Sequence, residues 1–229
     1  MEGFLLRLPE IVIQLIALGF AIAVHESAHA WTADRLGDPT GRWLGRVSLN
    51  PLRHVDPIGT VLFPLLLAIV GAPVLGWAKP VPYVSRNLRN PRRDPMLVAL
   101  AGPGSNVLLA MVAVLVLLGA RLLIPEFRPL LVAVASQGAL GASGFLAPIL
   151  YLLFSLATIN LVLAVFNLIP IPPLDGSHVL EYLLPRRWAY HFAQLRQYGM
   201  ILLFALLWTG FFGMILRPFM QALVWVLLH

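Results

Sequence analysis

The sequence predicts an all-α polytopic membrane protein, in which core transmembrane helices are accompanied by a re-entrant segment and a small membrane-associated β-hairpin or sheet. Hydrophobic residues make up 59% of the 229-residue chain and charged residues only 11%, whereas a soluble domain is nearer half apolar and a quarter charged. Several apolar runs approach or exceed the length of about 20 residues that spans a bilayer as a helix. Most of the charged residues lie in short segments between these runs.

The placement of the charged residues argues against nucleic-acid binding, and the absence of cysteine excludes sites built on thiols. The chain carries 16 Lys and Arg residues against 10 Asp and Glu residues, a net charge of +6. We expect no nucleic-acid partner, because most of these cations occupy short segments between apolar runs, where they set membrane orientation. The chain has no cysteine, which excludes disulfides and thiolate metal sites. The lipid bilayer is therefore the first expected partner.

Five apolar segments account for the predicted helices in order. They cover residues 9–33, 58–76, 96–124, 146–169 and 199–228. The second is interrupted by Pro64, Gly71 and Pro73, as expected for a re-entrant segment buried against protein. The last is long for one span and contains Arg217-Pro218, so we expect it to kink or to turn back on itself.

We expect a single membrane-embedded domain over residues 1–229, with a core at 9–180 and interfacial and transmembrane helices at 181–229. Glycine and proline residues mark turns between the first two apolar segments. The predicted strand of the β-hairpin lies there, at residues 46–49. A polar and aromatic stretch at 177–198 is predicted to form an interfacial amphipathic helix.

The first apolar segment contains three ionisable groups, which are costly in a bilayer and usually functional. His25 and His29 are four residues apart and share one face of a helix. Two imidazoles can therefore bind one metal ion, and Glu26 next to them can hold a water molecule. This is the H-E-x-x-H pattern of helical zinc hydrolases. The alternative is a pair of buried histidines that are hydrogen-bonded to helix carbonyls.

A catalytic zinc ion needs a third protein ligand and an open position. The candidate carboxylates in the apolar half of the chain are Glu126, Asp175 and Glu181. Asp175 lies in F-N-L-I-P-I-P-P-L-D-G at 166–176, where three prolines prevent a regular helix. A broken helix end followed by Asp-Gly can direct a carboxylate toward a metal in the bilayer. An ordinary loop leaving the membrane remains the alternative on spacing alone.

Taken together, these motifs resemble the site-2 protease (M50) family, zinc enzymes that cut their substrates within the membrane. The resemblance rests on H-E-S-A-H at 25–29 combined with N-L-I-P-I-P-P-L-D-G at 167–176. Further similar segments are A-G-P-G-S-N at 101–106, G-R-V-S-L-N-P-L-R-H-V-D-P-I-G-T at 45–60 and G-W-A-K-P-V-P at 76–82. We expect a minimal form without the PDZ or CBS domains of some members.

The resemblance implies the site and its chemistry. His25, His29 and Asp175 bind one Zn²⁺ per chain, and Glu26 is the catalytic acid and base. The implied activity is zinc-dependent endopeptidase cleavage of the transmembrane segments of single-pass membrane proteins. Such cleavage serves regulated intramembrane proteolysis or the clearance of membrane stubs.

Convergence of these ligands on one ion restricts the topology. The end of the first segment and the end of the fourth must lie on the same side of the membrane. This requires the second segment to enter and return rather than cross. Both basic loops, 34–57 and 77–95, are then cytoplasmic by the positive-inside rule. We therefore expect an active site toward the cytoplasmic side of the cell (inner) membrane.

Substrate contacts are predicted around this site. A transmembrane helix must unwind before cleavage, and an edge strand binds an extended chain by β-augmentation. Gly102 and Asn106 are predicted to shape the cleft, with tight helix packing as the alternative for this segment. The predicted edge strand consists of Arg46, Val47, Ser48 and Leu49.

Asn167 is a candidate oxyanion donor, because its amide precedes Asp175 by eight residues in the motif. A hydrogen bond between helices is the alternative for Asn167, and we expect that structural role for Asn160. His54 is predicted to be an interfacial loop residue. His178, three residues after Asp175, is a weaker candidate for contact with the metal ligands.

Two other functions use the same polar residues. An ion or metal transporter would place them along an ion path, but it would more often show two matching halves with paired broken helices. A non-catalytic membrane-protein binder would have no need of Glu26. The sequence does not predict which proteins are substrates or what oligomeric state the chain adopts.

Overall fold

The fold is built around four long apolar helices. The computed structural model describes residues 2–69, 76–124, 126–138 and 144–229. The long helices are α1 (Glu2–Arg35), α4 (Asp94–Leu123), α6 (Ala147–Asn167) and α10 (Phe211–Leu228). Each has the length and composition needed to cross a membrane, so the predicted helical, polytopic membrane protein is confirmed. Shorter helices are α2 (Thr40–Trp43), α3 (Phe63–Ile69), α5 (Phe127–Gln137), α7 (Gly176–Leu183), α8 (Arg186–Gln194) and α9 (Gly199–Trp208).

Helices α1, α4 and α6 pack against one another at the centre of the fold. Small residues at their contacts allow the backbones to approach closely, which is how helices associate where lipid removes the hydrophobic drive. The outward face of α4 instead exposes large apolar side chains such as Leu108 and Leu115. Buried small residues on these helices include Ala17 and Ala21 on α1, Ala110 and Ala113 on α4, and Ala157 and Ala164 on α6.

The C-terminal apolar segment traverses the bundle once. Helix α10 begins beside the end of α6, where the rings of Phe166 and Phe212 lie 4.9 Å apart. It ends beside the end of α4, where the Arg121 guanidinium donates to the carbonyls of Leu227 and His229 at 2.9 Å each. The ten residues of α9 extend only about 15 Å, too short for a second span. Gly210 joins α9 to α10 with a φ of +74°, a conformation that favours glycine.

The two described ends of the second apolar segment lie together. The Trp77 N–H donates to the Gly59 carbonyl at 3.1 Å, and the Thr60 hydroxyl donates to the Trp77 carbonyl at 2.8 Å. A π-helical turn at Pro57–Leu62 leads from these contacts into α3, which contains Pro64. The predicted interruptions at Gly71 and Pro73 lie outside the described residues.

The predicted β-hairpin is wrong for the part of the chain that the structure describes, because no strand occurs there. Residues 46–49 instead form an irregular segment against α1. The backbone groups of Ser48 are bonded to side chains, since its N–H donates to the Ser27 hydroxyl at 3.2 Å and its carbonyl accepts from that hydroxyl at 2.5 Å. These side-chain bonds satisfy backbone groups that a β-ladder would otherwise use.

Candidate metal centre

Three nitrogen and oxygen atoms from distant parts of the chain converge beside α1. The Nε2 atoms of His25 and His29 lie 3.0 Å apart. Asp175 Oδ2 lies 3.2 Å from the first of these nitrogens and 3.4 Å from the second. The structure therefore brings together the three side chains that the sequence predicted as metal ligands.

Hydrogen bonds on the far side of each imidazole fix which nitrogen faces the centre. His29 Nδ1 lies 2.7 Å from the Val98 carbonyl, which only accepts, so Nδ1 carries the hydrogen. His25 Nδ1 lies 2.5 Å from Asn106 Oδ1, which likewise accepts. Both Nε2 atoms consequently direct lone pairs at Asp175, as metal-binding histidines do.

The donor set fits zinc. A tetrahedral ion with bonds of about 2.0–2.1 Å holds neighbouring ligand atoms about 3.3 Å apart, which matches the observed triangle of 3.0, 3.2 and 3.4 Å. Asp175 Oδ2 is buried and makes no conventional hydrogen bond. Two lone pairs and a carboxylate oxygen that face one another repel unless a cation lies between them. Two imidazoles and one carboxylate leave a fourth position open, as catalytic zinc sites do.

Gly102 on α4 allows the two histidines to occupy this position. A Cβ built at Gly102 would lie 2.6 Å from Cε1 of His25 and closer still to His29. Gly102 was predicted to shape the substrate cleft, and the structure places it against the imidazoles, where α4 approaches them closely.

The chain around Asp175 is irregular, as its prolines predicted. Helix α6 ends at Asn167, and α7 begins at Gly176. Gly176 is tightly enclosed, because a Cβ there would overlap with the backbone carbonyls of Leu168 and Ile169. Ile169 and Leu174 are buried together with Leu203 of α9 and Phe212 of α10. The C-terminal helices thus hold the loop that carries the carboxylate.

Glu26 lies beside the triad and contacts a segment that sequence reasoning did not assign. Its Oε2 accepts the backbone N–H of Val81 at 3.2 Å. Residues 76–84 have neither helix nor strand, and the N–H groups of alternate residues bond to the protein. The Trp77 N–H donates to the Gly59 carbonyl, and the Lys79 N–H donates to the His54 carbonyl at 3.0 Å. The Val81 N–H donates to the Glu26 carboxylate. The similarity of G-W-A-K-P-V-P was the available signal for this segment.

Asn106 lies in a different environment from the predicted one. It is fully buried, with its Oδ1 on His25 and its Nδ2 on Asn160 Oδ1 at 2.7 Å. Such burial favours support of His25 over contact with substrate. Asn160 bonds to Asn106 between helices, in line with the structural role expected for it.

The Asn167 amide donates to the Leu163 carbonyl of its own helix at 3.0 Å. This uses one of its two amide hydrogens. The oxyanion role stays a prediction, and it depends on the second hydrogen.

A groove of about 310 Å³ runs between α1 and the predicted edge segment. The groove is largely apolar, and one of its walls carries Trp31, which is half exposed. Its lining residues are Val24, Ser27, Ala28, Trp31, Val47, Ser48 and Leu49. Arg46 does not line it. The Arg46 guanidinium instead donates to the Arg53 carbonyl, which ties the two ends of residues 46–53 together.

His54 and His178 lie in different environments. His54 is fully buried rather than interfacial, and its Nε2 donates to the Ser48 carbonyl at 2.8 Å. His178 on α7 lies 3.2 Å from the guanidinium of Arg196, which also pairs with Glu181. Burial and the charge of Arg196 lower the pKa of His178 below its ordinary value.

Comparison with known proteins places these features in one family. The family model described as Peptidase family M50 matches residues 13–209. The chain is 35% identical over 216 residues to "Putative zinc metalloprotease YwhC" of Bacillus subtilis, covering 94% of this chain and 87% of that protein. It is 31% identical to "Putative zinc metalloprotease Rip2" of Mycolicibacterium smegmatis and of Mycobacterium tuberculosis. Those matches cover 82% and 81% of this chain but only 64% and 62% of the relatives. No solved structure matches the chain significantly.

Proposed function

The chain belongs to peptidase family M50, and we propose that it is a zinc-dependent intramembrane endopeptidase acting on single-pass transmembrane proteins. The observation that carries the proposal is the triangle of His25, His29 and Asp175 with Glu26 on the same helix turn. A transporter would more often show two matching halves with paired broken helices, and a non-catalytic binder has no need of Glu26. The family and the site therefore favour the protease over the transporter and the non-catalytic binder.

The residues of the site divide the work of peptide hydrolysis. A bound zinc ion supplies Lewis-acid activation of water and of the scissile carbonyl. Glu26 takes a proton from the attacking water molecule and passes it to the leaving amine. The Val81 N–H holds one carboxylate oxygen of Glu26, which leaves the other for the proton. The free amide hydrogen of Asn167 is the proposed donor to the developing oxyanion.

Substrate binding is proposed along the irregular segment at residues 46–49. The backbone groups of Val47 and Leu49 make no hydrogen bond within the described ranges. These groups remain for an unwound substrate chain, which must exchange its helical bonds for new ones. The apolar groove beside them suits the side chains of a transmembrane segment.

The proposed topology places the metal centre near the cytoplasm of the cell membrane. The contacts of Trp77 with Gly59 and Thr60 support a second apolar segment that returns to the side it entered from. Twelve of the sixteen cations lie in residues 35–93 and 186–196, the segments that connect helices on the side of the triad. A bias of this kind favours the cytoplasmic side.

Glu26→Gln tests the proposed function. We expect the variant to keep one zinc per chain, because the three ligands are unchanged, and to lose turnover by at least about 100-fold. The measurement is quantitative proteomics of membrane stubs in cells carrying the variant, with zinc in the purified protein determined by elemental analysis. Asp34→Asn is the control, since it makes the same change two turns along α1 at a carboxylate paired with Arg42. Equal stub levels in the two strains would refute the assignment.

A further inference from the structure

A chain of buried amides leads away from the metal centre through three helices. His25 Nδ1 bonds to Asn106 Oδ1 on α4, and Asn106 Nδ2 bonds to Asn160 Oδ1 on α6. Asn160 Nδ2 then donates to the Leu156 carbonyl at 2.8 Å. Both asparagine side chains are fully buried. We call Asn106 and Asn160 the amide relay.

The far end of the amide relay determines its orientation. The Leu156 carbonyl only accepts, so the NH₂ group of Asn160 must face it and the amide oxygen must face Asn106. That oxygen accepts from Asn106 Nδ2, which also donates to the Ala21 carbonyl at 3.3 Å. Because Nδ2 of Asn106 makes these two bonds, its Oδ1 must face Nδ1 of His25.

The orientation decides which nitrogen of His25 is free. Facing an oxygen, Nδ1 must carry the hydrogen, and Nε2 keeps its lone pair for the metal. A reversed Asn106 amide would present its NH₂ group to Nδ1, which would move the hydrogen to Nε2 and block coordination. We propose that Asn160, which does not touch His25, is a positioning residue for the metal centre, acting through Asn106 on the tautomer of His25.

The amide relay also connects the two elements that supply ligands. His25 and His29 belong to α1, whereas Asp175 follows the end of α6. Bonds from α1 to α4 and from α4 to α6 tie these helices together one side chain away from the ligands. This inference rests on the proposed zinc function, because it assigns a support to that same site.

The test compares metal affinity in four variants, using Co²⁺ and Zn²⁺ with a chromophoric chelator as competitor on the metal-free, purified full chain. Asn106→Leu and Asn160→Leu are expected to weaken affinity by about 10- to 100-fold, the usual effect of removing such a support. Asn160→Asp keeps an acceptor for Asn106 and is expected to recover most of the affinity. Tyr151→Phe is the control, since it breaks the partly buried bond from Gln14 to Tyr151, which also joins α1 to α6.

The order of the variants separates positioning from general structural support. A merely structural role predicts that affinity follows thermal stability in all four variants, with Tyr151→Phe affected like the rest. If Asn160 fixes the tautomer of His25, Asn160→Leu should lose metal affinity and the tetrahedral Co²⁺ absorption, whereas Asn160→Asp should retain both. Wild-type affinity in Asn160→Leu, or equal losses in Asn160→Leu and Asn160→Asp, would overturn the inference. Absence of metal binding by the unaltered chain would instead contradict the proposed function.

Discussion

Gly102→Ala is the sharpest available perturbation of the metal centre, because it adds one carbon atom at a known place. The new Cβ would lie 2.6 Å from His25 Cε1 and nearer to the ring of His29. Carbon atoms in ordinary contact are about 3.5–4.0 Å apart, so one or both rings must move by roughly 1 Å. Ligand distances in working metal sites vary by only about 0.2 Å.

We therefore expect Gly102→Ala to lose zinc affinity by at least about 100-fold. The assay is chelator competition on purified protein, with zinc per chain determined by elemental analysis. Gly104→Ala is the matched control on the same helix, since nothing lies within 4 Å of a Cβ there. That control should keep its zinc and gain about 0.5–1 kcal/mol of stability, because alanine loses less entropy in a helix than glycine.

The result that refutes this reasoning is a Gly102→Ala protein that folds and binds one zinc per chain with unaltered affinity. Such a result would mean that α4 moves away from α1 without disturbing the ligands. The contacts of the amide relay would have to move with it, because Asn106 lies one turn further along α4.

Two further predictions concern the loops on the side of the metal centre. Asp38 is fully buried and accepts from the Thr40 hydroxyl at 2.6 Å, the Val84 N–H at 2.6 Å and the Asn87 amide at 3.1 Å. Asp38→Asn leaves at least one donor unpaired and should cost about 1–3 kcal/mol, measured by unfolding in detergent with Asp34→Asn as the control. Burial raises the pKa of Asp38, but these hydrogen bonds outweigh burial and hold the pKa below its ordinary value. Its contribution to stability is therefore present above about pH 4 and lost as the pH falls through the folded-state pKa. The second prediction concerns topology and exploits the absence of native cysteine. Leu52→Cys and Arg89→Cys should react with an impermeant thiol reagent from the same face and Leu122→Cys from the opposite one, and labelling of the first two from opposite faces would exclude the returning segment.

Much of the metal centre could be predicted from sequence because its chemistry is encoded locally. The spacing of His25 and His29 determines their shared helix face, and the prolines before Asp175 determine where α6 ends. Spacing alone left an ordinary loop as the alternative for Asp175, and the resemblance to the site-2 protease family implied that it is the third ligand. A second apolar segment that returns to the side it entered from stays a prediction, and the contacts between its described ends support it.

The errors arose where tertiary contacts override local pattern. Residues 46–49 have the composition of a strand, but Ser27 of α1 provides the partner that a second strand would have provided. His54 was predicted to be an interfacial loop residue, yet it is fully buried, with its Nε2 on the Ser48 carbonyl and its own carbonyl on the Lys79 N–H. The orientation of Asn106 depends on Asn160, 54 residues away. No spacing rule connects these positions.

Polar side chains within the bundle are tolerable only when their donors and acceptors are paired, because an unpaired group costs several kcal/mol where water is excluded. The two asparagines of the amide relay meet this condition through bonds to one another, to His25 and to backbone carbonyls. Among the described residues, two buried side-chain atoms lack a hydrogen-bond partner, His54 Nδ1 and Asp175 Oδ2. The second lies where two imidazole lone pairs also point. A cation at that position satisfies all three atoms at once, so the polar groups of the metal centre are balanced only when the metal is counted among them.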